Sequence, residues 1–219
     1  METKKEITEN ELITKYMDFV LTKGHHPESV YKFAKDQHIE ESTFYRFYSS
    51  FEQIEKEIFT LFFKNSLELL EKSIDFKDFD ARNKLLSFYY TFVEVLTANR
   101  SYVVFALNND KNKLKSLKKL TGLKFFFNEF IKSLAIEKID FKEERIGRFQ
   151  DKGTEELFWI QLLLILKFWM EDNSKAFEKT DIFIEKSVHA TFDAINTQPV
   201  KSFIDLGKFL LKEKMDFKM

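Results

Sequence analysis

Cysteine is absent from this sequence, and its absence excludes disulfides, thiolate metal sites and cysteine nucleophiles. Glycine and proline are scarce, with five and two residues in a chain of 219, so the turn-forming residues of a β-rich fold are few. The longest apolar run, residues 157–170, is too short to span a bilayer and contains Gln161 and Lys167. The charged N-terminus lacks the apolar region of a signal peptide, and we therefore expect a cytoplasmic protein.

Phenylalanine is abundant instead, with 27 residues. So many aromatic side chains either fill a core or line a cavity for an apolar ligand, and composition does not choose between the two. Apolar residues recur at spacings of three and four along most of the chain, as at Leu114, Leu117, Leu120 and Leu123. This periodicity predicts an all-α protein.

Three short helices are predicted within the first 50 residues, followed by a longer one. The first ends at Lys23-Gly24, the second begins after Pro27, and the third runs from Glu41 to about Tyr48. We therefore predict a three-helix head at residues 1–50. A larger helical domain is predicted at residues 51–219, and its first part, residues 51–74, is a connector helix long enough to join two modules.

The larger domain has its own helix pattern. One long helix is predicted from Lys113 to Leu134, and a loop or broken helix is predicted over residues 136–154, where the periodicity is lost. Two strong helices follow at residues 155–171 and 176–196, joined by a polar turn. Pro199 suits the first turn of a final helix ending near Lys214.

The second and third predicted helices fit a helix-turn-helix. In a window that starts at Val30, the small residue needed where the two helices approach is Ala34. The apolar packing positions are filled by Phe33, Ile39, Phe44 and Phe47. The turn position that usually holds a glycine with positive φ is His38, which tolerates that conformation better than most residues.

Residues 42–54, with the sequence STFYRFYSSFEQI, resemble the T-L-Y-x-x-F-x-S-K-E-x-L segment of the TetR repressor family. The head also matches that family in length and order from about Ile7, and residues 157–196 resemble its pair of antiparallel dimerisation helices. The resemblance implies a homodimeric transcriptional repressor whose recognition helices enter successive major grooves. It also implies that a small apolar molecule releases the DNA by reorienting the connector helix.

The resemblance further implies where the head would meet DNA. The expected DNA-binding residues are Ser29, Ser42, Thr43, Tyr45, Arg46 and Tyr48. Hydroxyl groups can donate to phosphate oxygens, and an arginine can pair with phosphate or read guanine through its bidentate fork. For the two tyrosines, half-buried packing is the alternative role.

Three features of the head depart from the family pattern. The lysine that follows the recognition helix in the family corresponds to Phe51, so one phosphate-binding cation is missing. Glu40 and Glu41 lie at the start of the recognition helix, where they favour the helix dipole but would face phosphates. Residues 1–60 hold 8 Lys or Arg against 12 Asp or Glu, a net charge of -4.

Two sets of apolar residues are candidates for ligand binding and dimerisation. The candidate ligand-binding residues are Phe88, Phe92, Phe105, Phe126, Phe130, Trp159 and Leu163, with plain core packing as the alternative. The candidate dimer-interface residues are Phe158, Leu162, Phe183, Val188 and Phe192. Part of this second surface must also cover the core of one chain.

No pattern of catalytic or metal-binding residues is present. The histidines lack partners at ligand spacing, and no GxSxG, HExxH, Walker or GxGxxG motif occurs. We therefore expect no enzymatic activity, no metal and no cofactor.

Two functions remain open. One is a ligand-responsive regulator that binds an operator in double-stranded DNA, a small apolar or aromatic ligand and a second copy of itself. The other is a ligand-binding or protein-interaction protein of the same fold that has lost DNA binding.

Overall fold

The computed structural model describes residues 6–108, 113–136 and 144–195, and every regular element in these ranges is helical. The helices are α1 (Glu9–Lys23), α2 (Val30–Asp36), α3 (Glu41–Phe47), α4 (Phe51–Glu71), α5 (Ala81–Ala98), α6 (Arg100–Asn108), α7 (Lys113–Lys119), α8 (Thr121–Ser133), α9 (Glu144–Glu171) and α10 (Glu178–Ile195). Short 3-10 helices lie at Asp75–Asp78 and Lys175–Phe177. The all-α prediction is confirmed. Within the described ranges, no helix is long and apolar enough to cross a membrane.

The chain divides into two compact units. Unit 1 comprises Met1–Ser66 and Glu94–Phe126, and unit 2 comprises Leu67–Val93 and Phe127–Met219. The three helices of the predicted head therefore share unit 1 with the first part of α4, with α6 and with α7. The predicted domain boundary at residue 50 stays a prediction.

Helix α1 is defined by strong signals at both ends. Thr8 Oγ1 accepts a hydrogen bond from the Glu11 backbone N–H at 3.2 Å, and the Glu11 carboxylate accepts one from the Thr8 backbone N–H at 2.8 Å. This reciprocal capping box satisfies two N–H groups that the helix leaves free. At the other end Gly24 has φ 73°, a left-handed cap that a residue without Cβ adopts at no steric cost.

An aromatic core holds the head together and joins it to α4. The Phe51 ring stacks on Tyr16 with 5.6 Å between centroids and lies 5.1 Å from Phe44. Phe33 completes the cluster with edge contacts to the same three rings. Because Phe51 is the first residue of α4, this position serves packing between the head and the connector, which explains why it is not a cation.

Unit 2 has an aromatic core of its own. Phe88 stacks on Phe92 at 5.4 Å and lies 5.0 Å from Phe130, and all three rings are buried. Both tryptophans of the chain, Trp159 and Trp169, lie on α9 and are buried at 7% and 0% exposure. Burial of rings this large is a major contribution to the stability of the unit.

The predicted long helix from Lys113 to Leu134 is wrong, because the chain breaks at Leu120 into α7 and α8. Just after the break, a Cβ on Gly122 would lie only 2.3 Å from Thr60 Oγ1 of α4. The two short helices can therefore dock on α4 with separate directions, and the close approach requires glycine. Periodicity within the segment carries no information on this contact between distant residues.

The predicted loop or broken helix over residues 136–154 is also wrong in its second part. Helix α9 begins at Glu144 and runs through Gly147 and Gly153 to Glu171. A glycine inside a helix costs only about 1 kcal/mol relative to alanine, which a long continuous helix tolerates. The chain also breaks at Asn99, between α5 and α6, and the Asn99 carbonyl accepts the first hydrogen bond of α6 from the Val103 N–H. The predicted final helix after Pro199 lies outside the described residues.

Candidate nucleic-acid interface

The turn between α2 and α3 has the local features that were predicted for a helix-turn-helix. His38 has φ 55°, and the Ile39 N–H donates to the Ala34 carbonyl at 2.9 Å. Ala34 is 3% exposed, and Phe33 and Phe44 are fully buried between the helices. The left-handed histidine and the small contact residue expected from the sequence are therefore both present.

The candidate DNA-binding residues fall into an exposed group and a buried one. Ser42, Tyr45 and Arg46 are exposed on α3, with Tyr45 at 53%, and Thr43 is half-buried beside them. These four residues form one outward-facing surface on the second helix of the motif. Ser29 is exposed at the start of α2, where its hydroxyl accepts a hydrogen bond from the Lys32 N–H at 3.2 Å.

Tyr48 belongs to the buried group. It is 6% exposed, and its hydroxyl donates to the Glu9 carboxylate at 2.8 Å. Burial and this hydrogen bond raise the pKa of Tyr48 above its usual 10, so the phenol remains protonated. The structure therefore gives Tyr48 a packing contact, whereas Tyr45 projects into solvent.

Acidic residues at the beginning of the described chain contact α3 and the residue that follows it. Glu6 forms a short ion pair with Arg46, and both side chains are substantially exposed. Glu9, one turn later, holds the Tyr48 hydroxyl. The arginine best suited to phosphate or guanine thus already has a carboxylate partner that DNA would have to displace.

A buried charged cluster lies behind the head. Glu55 of α4 is 5% exposed, and its Oε1 accepts from the Tyr16 hydroxyl at 3.0 Å. The same oxygen lies 3.2 Å from Lys119 Nζ and 3.3 Å from His26 Nδ1. Lys119 also donates to the Ala106 carbonyl at 3.0 Å. This cluster connects α1, α4, α6 and α7 within unit 1.

The Glu55 cluster was not predicted from the sequence. A signal was present, because Glu55 lies four residues after Phe51 and three before Ile58, within the apolar stripe of α4. A carboxylate in such a stripe must find partners to remain charged. Burial and the nearby Glu55 carboxylate raise the pKa of Tyr16, so that its hydroxyl remains a donor.

The candidate ligand-binding residues are distributed over both units. In unit 2, Phe88, Phe92 and Phe130 pack together, and Trp159 joins them through Phe127 at 6.3 Å. Nearby, the buried Tyr89 hydroxyl donates to Gln161 at 3.1 Å. Leu163 of α9 is half-buried.

Phe105 and Phe126 belong to unit 1. Phe105 lies 5.1 Å from the His26 ring, and Phe126 lies 6.3 Å from Phe63. Phe126 also lines a surface cleft of about 560 Å³. The other residues that line this cleft are Glu9, Phe47, Tyr48, Gln53, Lys56, Glu57, Thr60, Thr121 and Gly122.

Most candidate dimer-interface residues are buried within a single chain. Phe158, Leu162 and Val188 have no exposed area, and Phe192 is 7% exposed. Phe183 is half-buried and stacks on Phe168 at 4.6 Å. Large apolar side chains that are exposed on the same two helices include Leu157, Ile160, Leu164 and Ile182, at 41% to 52%.

The described residues thus form three short helices with a left-handed histidine between α2 and α3, followed by the longer α4 and further helices. Residues 84–210 match a family model described as a tetracycline repressor-like C-terminal domain. This match covers more than half of the chain, which therefore belongs to the TetR family of regulators. None of the curated proteins matches the chain.

Proposed function

We propose that this protein is a ligand-responsive DNA-binding transcriptional regulator, a repressor that a small apolar molecule releases from its operator. The geometry of α2 and α3 carries this proposal. Ala34 and His38 set the angle between the helices, and Ser42, Tyr45 and Arg46 then project from the helix that would enter the major groove.

The exposed side chains differ in the groups of DNA that they can contact. Arg46 suits guanine or phosphate, and the hydroxyls of Ser29, Ser42, Thr43 and Tyr45 suit phosphate oxygens. Tyr48 acts as a positioning residue, because its buried ring and its bond to Glu9 fix the end of α3.

The Glu55 cluster supports a route from ligand to DNA. Removing one partner of a buried ion pair costs about 3–5 kcal/mol. Because separating α7 from the beginning of α4 would break the pair between Lys119 and Glu55, the two helices move together more readily than they separate. Glu55 also holds Tyr16 of the head at 3.0 Å. A displacement of α6 or α7 would therefore tilt α1 and α4 and alter the spacing of two heads in a dimer.

The aromatic core of unit 2 supports an apolar or aromatic ligand. Phe88, Phe92, Phe130 and Trp159 offer ring faces, and Leu163 adds aliphatic surface. Since the phenylalanine rings are already in contact, a ligand would enter by displacing ring pairs. In unit 1, we propose Phe105 and Phe126 as ligand-binding residues.

The regulator proposal is tested by selecting genomic DNA fragments with the purified protein and measuring affinity for the best fragment against salt. We expect a palindromic site and a steep loss of affinity as salt rises. Arg46→Ala and Thr43→Ala should abolish the preference for that site and leave the oligomeric state unchanged. Unchanged affinity in both variants would contradict the assigned contacts.

The second candidate function is a ligand-binding or interaction protein of the same fold without DNA binding. It is favoured by the acidic head and by the pairing of Arg46 with Glu6 and of Tyr48 with Glu9. Recovery of no fragment above background at low salt would exclude the first function and favour the second.

A further inference from the structure

The segment 113–124, which forms α7 and the start of α8, is strongly basic. It contains five lysines and no acidic residue, in contrast to the acidic first 60 residues of the same unit. Lys119 is buried in the Glu55 cluster, whereas Lys118 is exposed and Lys124 is partly exposed. We call residues 113–124 the basic segment.

Two contacts fix the basic segment against the head end of α4. Lys119 pairs with Glu55 at 3.2 Å, and Gly122 approaches so closely that an added Cβ would lie 2.3 Å from Thr60 Oγ1. Glu55 is one helical turn after Phe51, the residue that packs into the head core. These two contacts hold the basic segment against α4, and the backbone of Lys118 and Lys124 therefore has a defined position relative to α4.

The basic segment borders the end of the recognition helix. Thr121 and Gly122 line the 560 Å³ cleft together with Phe47 and Tyr48, which end α3, and with Gln53 of α4. Lys118 and Lys124 lie three residues before and after Thr121. A lysine side chain extends about four methylene groups from the backbone, so both ammonium groups can reach beyond the cleft.

The head needs cations from outside its three helices. Phe51 replaces one with an aromatic ring, Glu40 and Glu41 begin α3, and Arg46 is paired with Glu6. When a recognition helix occupies the major groove, the sugar–phosphate backbone runs along both sides of it. The basic segment lies beside one end of that helix, where a backbone strand would pass.

We propose that the basic segment is a second phosphate-binding surface, in which Lys118 and Lys124 contact the backbone of the DNA beside the recognition helix. This inference rests on the proposed DNA-binding function. The contacts supply affinity without reading bases, since ammonium groups neutralise phosphates of any sequence. Sequence preference remains with α3.

The test compares the wild type with the variant Lys118→Ala/Lys124→Ala on the selected fragment and on an unrelated duplex. Each lost phosphate contact lowers the slope of log affinity against log salt by about 0.9, and the double variant removes two contacts from each subunit of a dimer. Between 50 and 200 mM salt it should therefore lose about 150-fold less affinity than the wild type. The ratio of affinities for the two duplexes should stay unchanged, and Lys118→Arg/Lys124→Arg should keep the wild-type slope.

The matched control is Lys175→Ala/Lys186→Ala, which removes the same charge from exposed positions of unit 2 and should keep the wild-type slope. Circular dichroism checks that all variants are folded. A wild-type slope in Lys118→Ala/Lys124→Ala overturns the proposal. Binding to phosphatidylglycerol vesicles is measured as well, and a variant that loses vesicle binding but keeps wild-type DNA binding also overturns it. Absence of any wild-type DNA complex would instead overturn the proposed function, and this inference with it.

Discussion

At the scale of single residues, the ion pair between Glu6 and Arg46 competes with DNA. Exposed ion pairs contribute about 0.2–1 kcal/mol, so the release of Arg46 by Glu6→Gln should raise DNA affinity about 1.4- to fivefold for each head. The gain has two sources: Arg46 is released, and a carboxylate near phosphates is removed. Filter binding of the selected fragment at fixed salt measures the change.

A double-mutant cycle separates these two sources of the gain. In an Arg46→Ala background the effect of Glu6→Gln should shrink, because the released partner no longer exists. Glu68→Gln is the control, since it removes the same charge from an exposed residue that pairs with Lys72 outside the head. An equal gain in both Arg46 backgrounds would show that Glu6 acts only through general repulsion.

Some residue roles could be read from the sequence and others could not. Ala34 and His38 were predictable because the helix-turn-helix imposes a local spacing on residue size and backbone conformation. The Glu55 cluster was not, since its partners Tyr16, His26 and Lys119 are far apart in sequence. The candidate ligand residues and the candidate dimer residues could not be separated from core residues, because both kinds of site need the same apolar side chains.

At the scale of helices, two glycines that both lie within helices have opposite requirements. An added Cβ on Gly153 of α9 meets nothing within 4 Å, whereas one on Gly122 of α8 would lie 2.3 Å from Thr60 Oγ1. Gly153→Ala should therefore raise the free energy of unfolding by about 0.5–1 kcal/mol, and Gly122→Ala should lower it. Urea unfolding followed by circular dichroism measures both.

The contact with Thr60 can be tested directly. The added methyl group clashes with the hydroxyl oxygen, while Thr60 Cβ is 3.7 Å away. Thr60→Ala should therefore restore part of the stability that Gly122→Ala loses, although it costs stability alone. Additive losses in the double variant would show that α8 does not depend on this close approach.

The beginning of α10 depends on a carboxylate. Asp172 accepts hydrogen bonds from the backbone N–H groups of Ser174 and Thr180 and from both of their hydroxyls, at 2.7 to 3.0 Å. Burial alone would raise the pKa of Asp172, but these hydrogen bonds outweigh it and lower the pKa from 3.8 to about 2.

This shift predicts the pH range in which α10 weakens. Because the pKa of Asp172 is lowered in the folded state, its ionised carboxylate stabilises the folded protein above pH 4. This contribution is lost as the pH falls through 2 and the carboxylate is protonated. Asp172→Asn should lower the melting temperature at pH 5, and the difference from wild type should diminish towards pH 2. The exposed Asp75→Asn is the control, and a constant difference over this range would contradict the assignment.

Helix existence was more predictable than helix ends. Periodicity identified the segments that became α1, α3, α4 and α10, because each buries one face. The break between α7 and α8 depends on Gly122 meeting Thr60, and the early start of α9 depends on residues without an apolar stripe. Such ends are set by tertiary contacts and helix continuity, which a local pattern does not contain.

At the scale of the whole molecule, the exposed apolar residues of α9 offer a surface for a second copy. Leu157, Ile160 and Leu164 follow one face of the helix at spacings of three and four, and Ile182 is exposed on α10. Ile160→Glu/Leu164→Glu should convert a dimer to a monomer, since charges on such a face are costly to bury. Sedimentation velocity measures the oligomeric state.

Ile74→Glu is the control for this prediction, because it places a charge on an apolar residue that is 86% exposed outside α9 and α10. We expect it to leave the oligomeric state of the wild type unchanged. A dimer that survives Ile160→Glu/Leu164→Glu would require another surface.

The position of both tryptophans on α9 has a practical consequence for experiments on this protein. Trp159 and Trp169 belong to unit 2, and unit 1 contains no tryptophan. Emission excited at 295 nm therefore reports on unit 2 alone, while the helical signal at 222 nm reports on both units. If the emission and helical transitions coincide, the units unfold together; if they separate, the one containing the helix-turn-helix has a stability of its own.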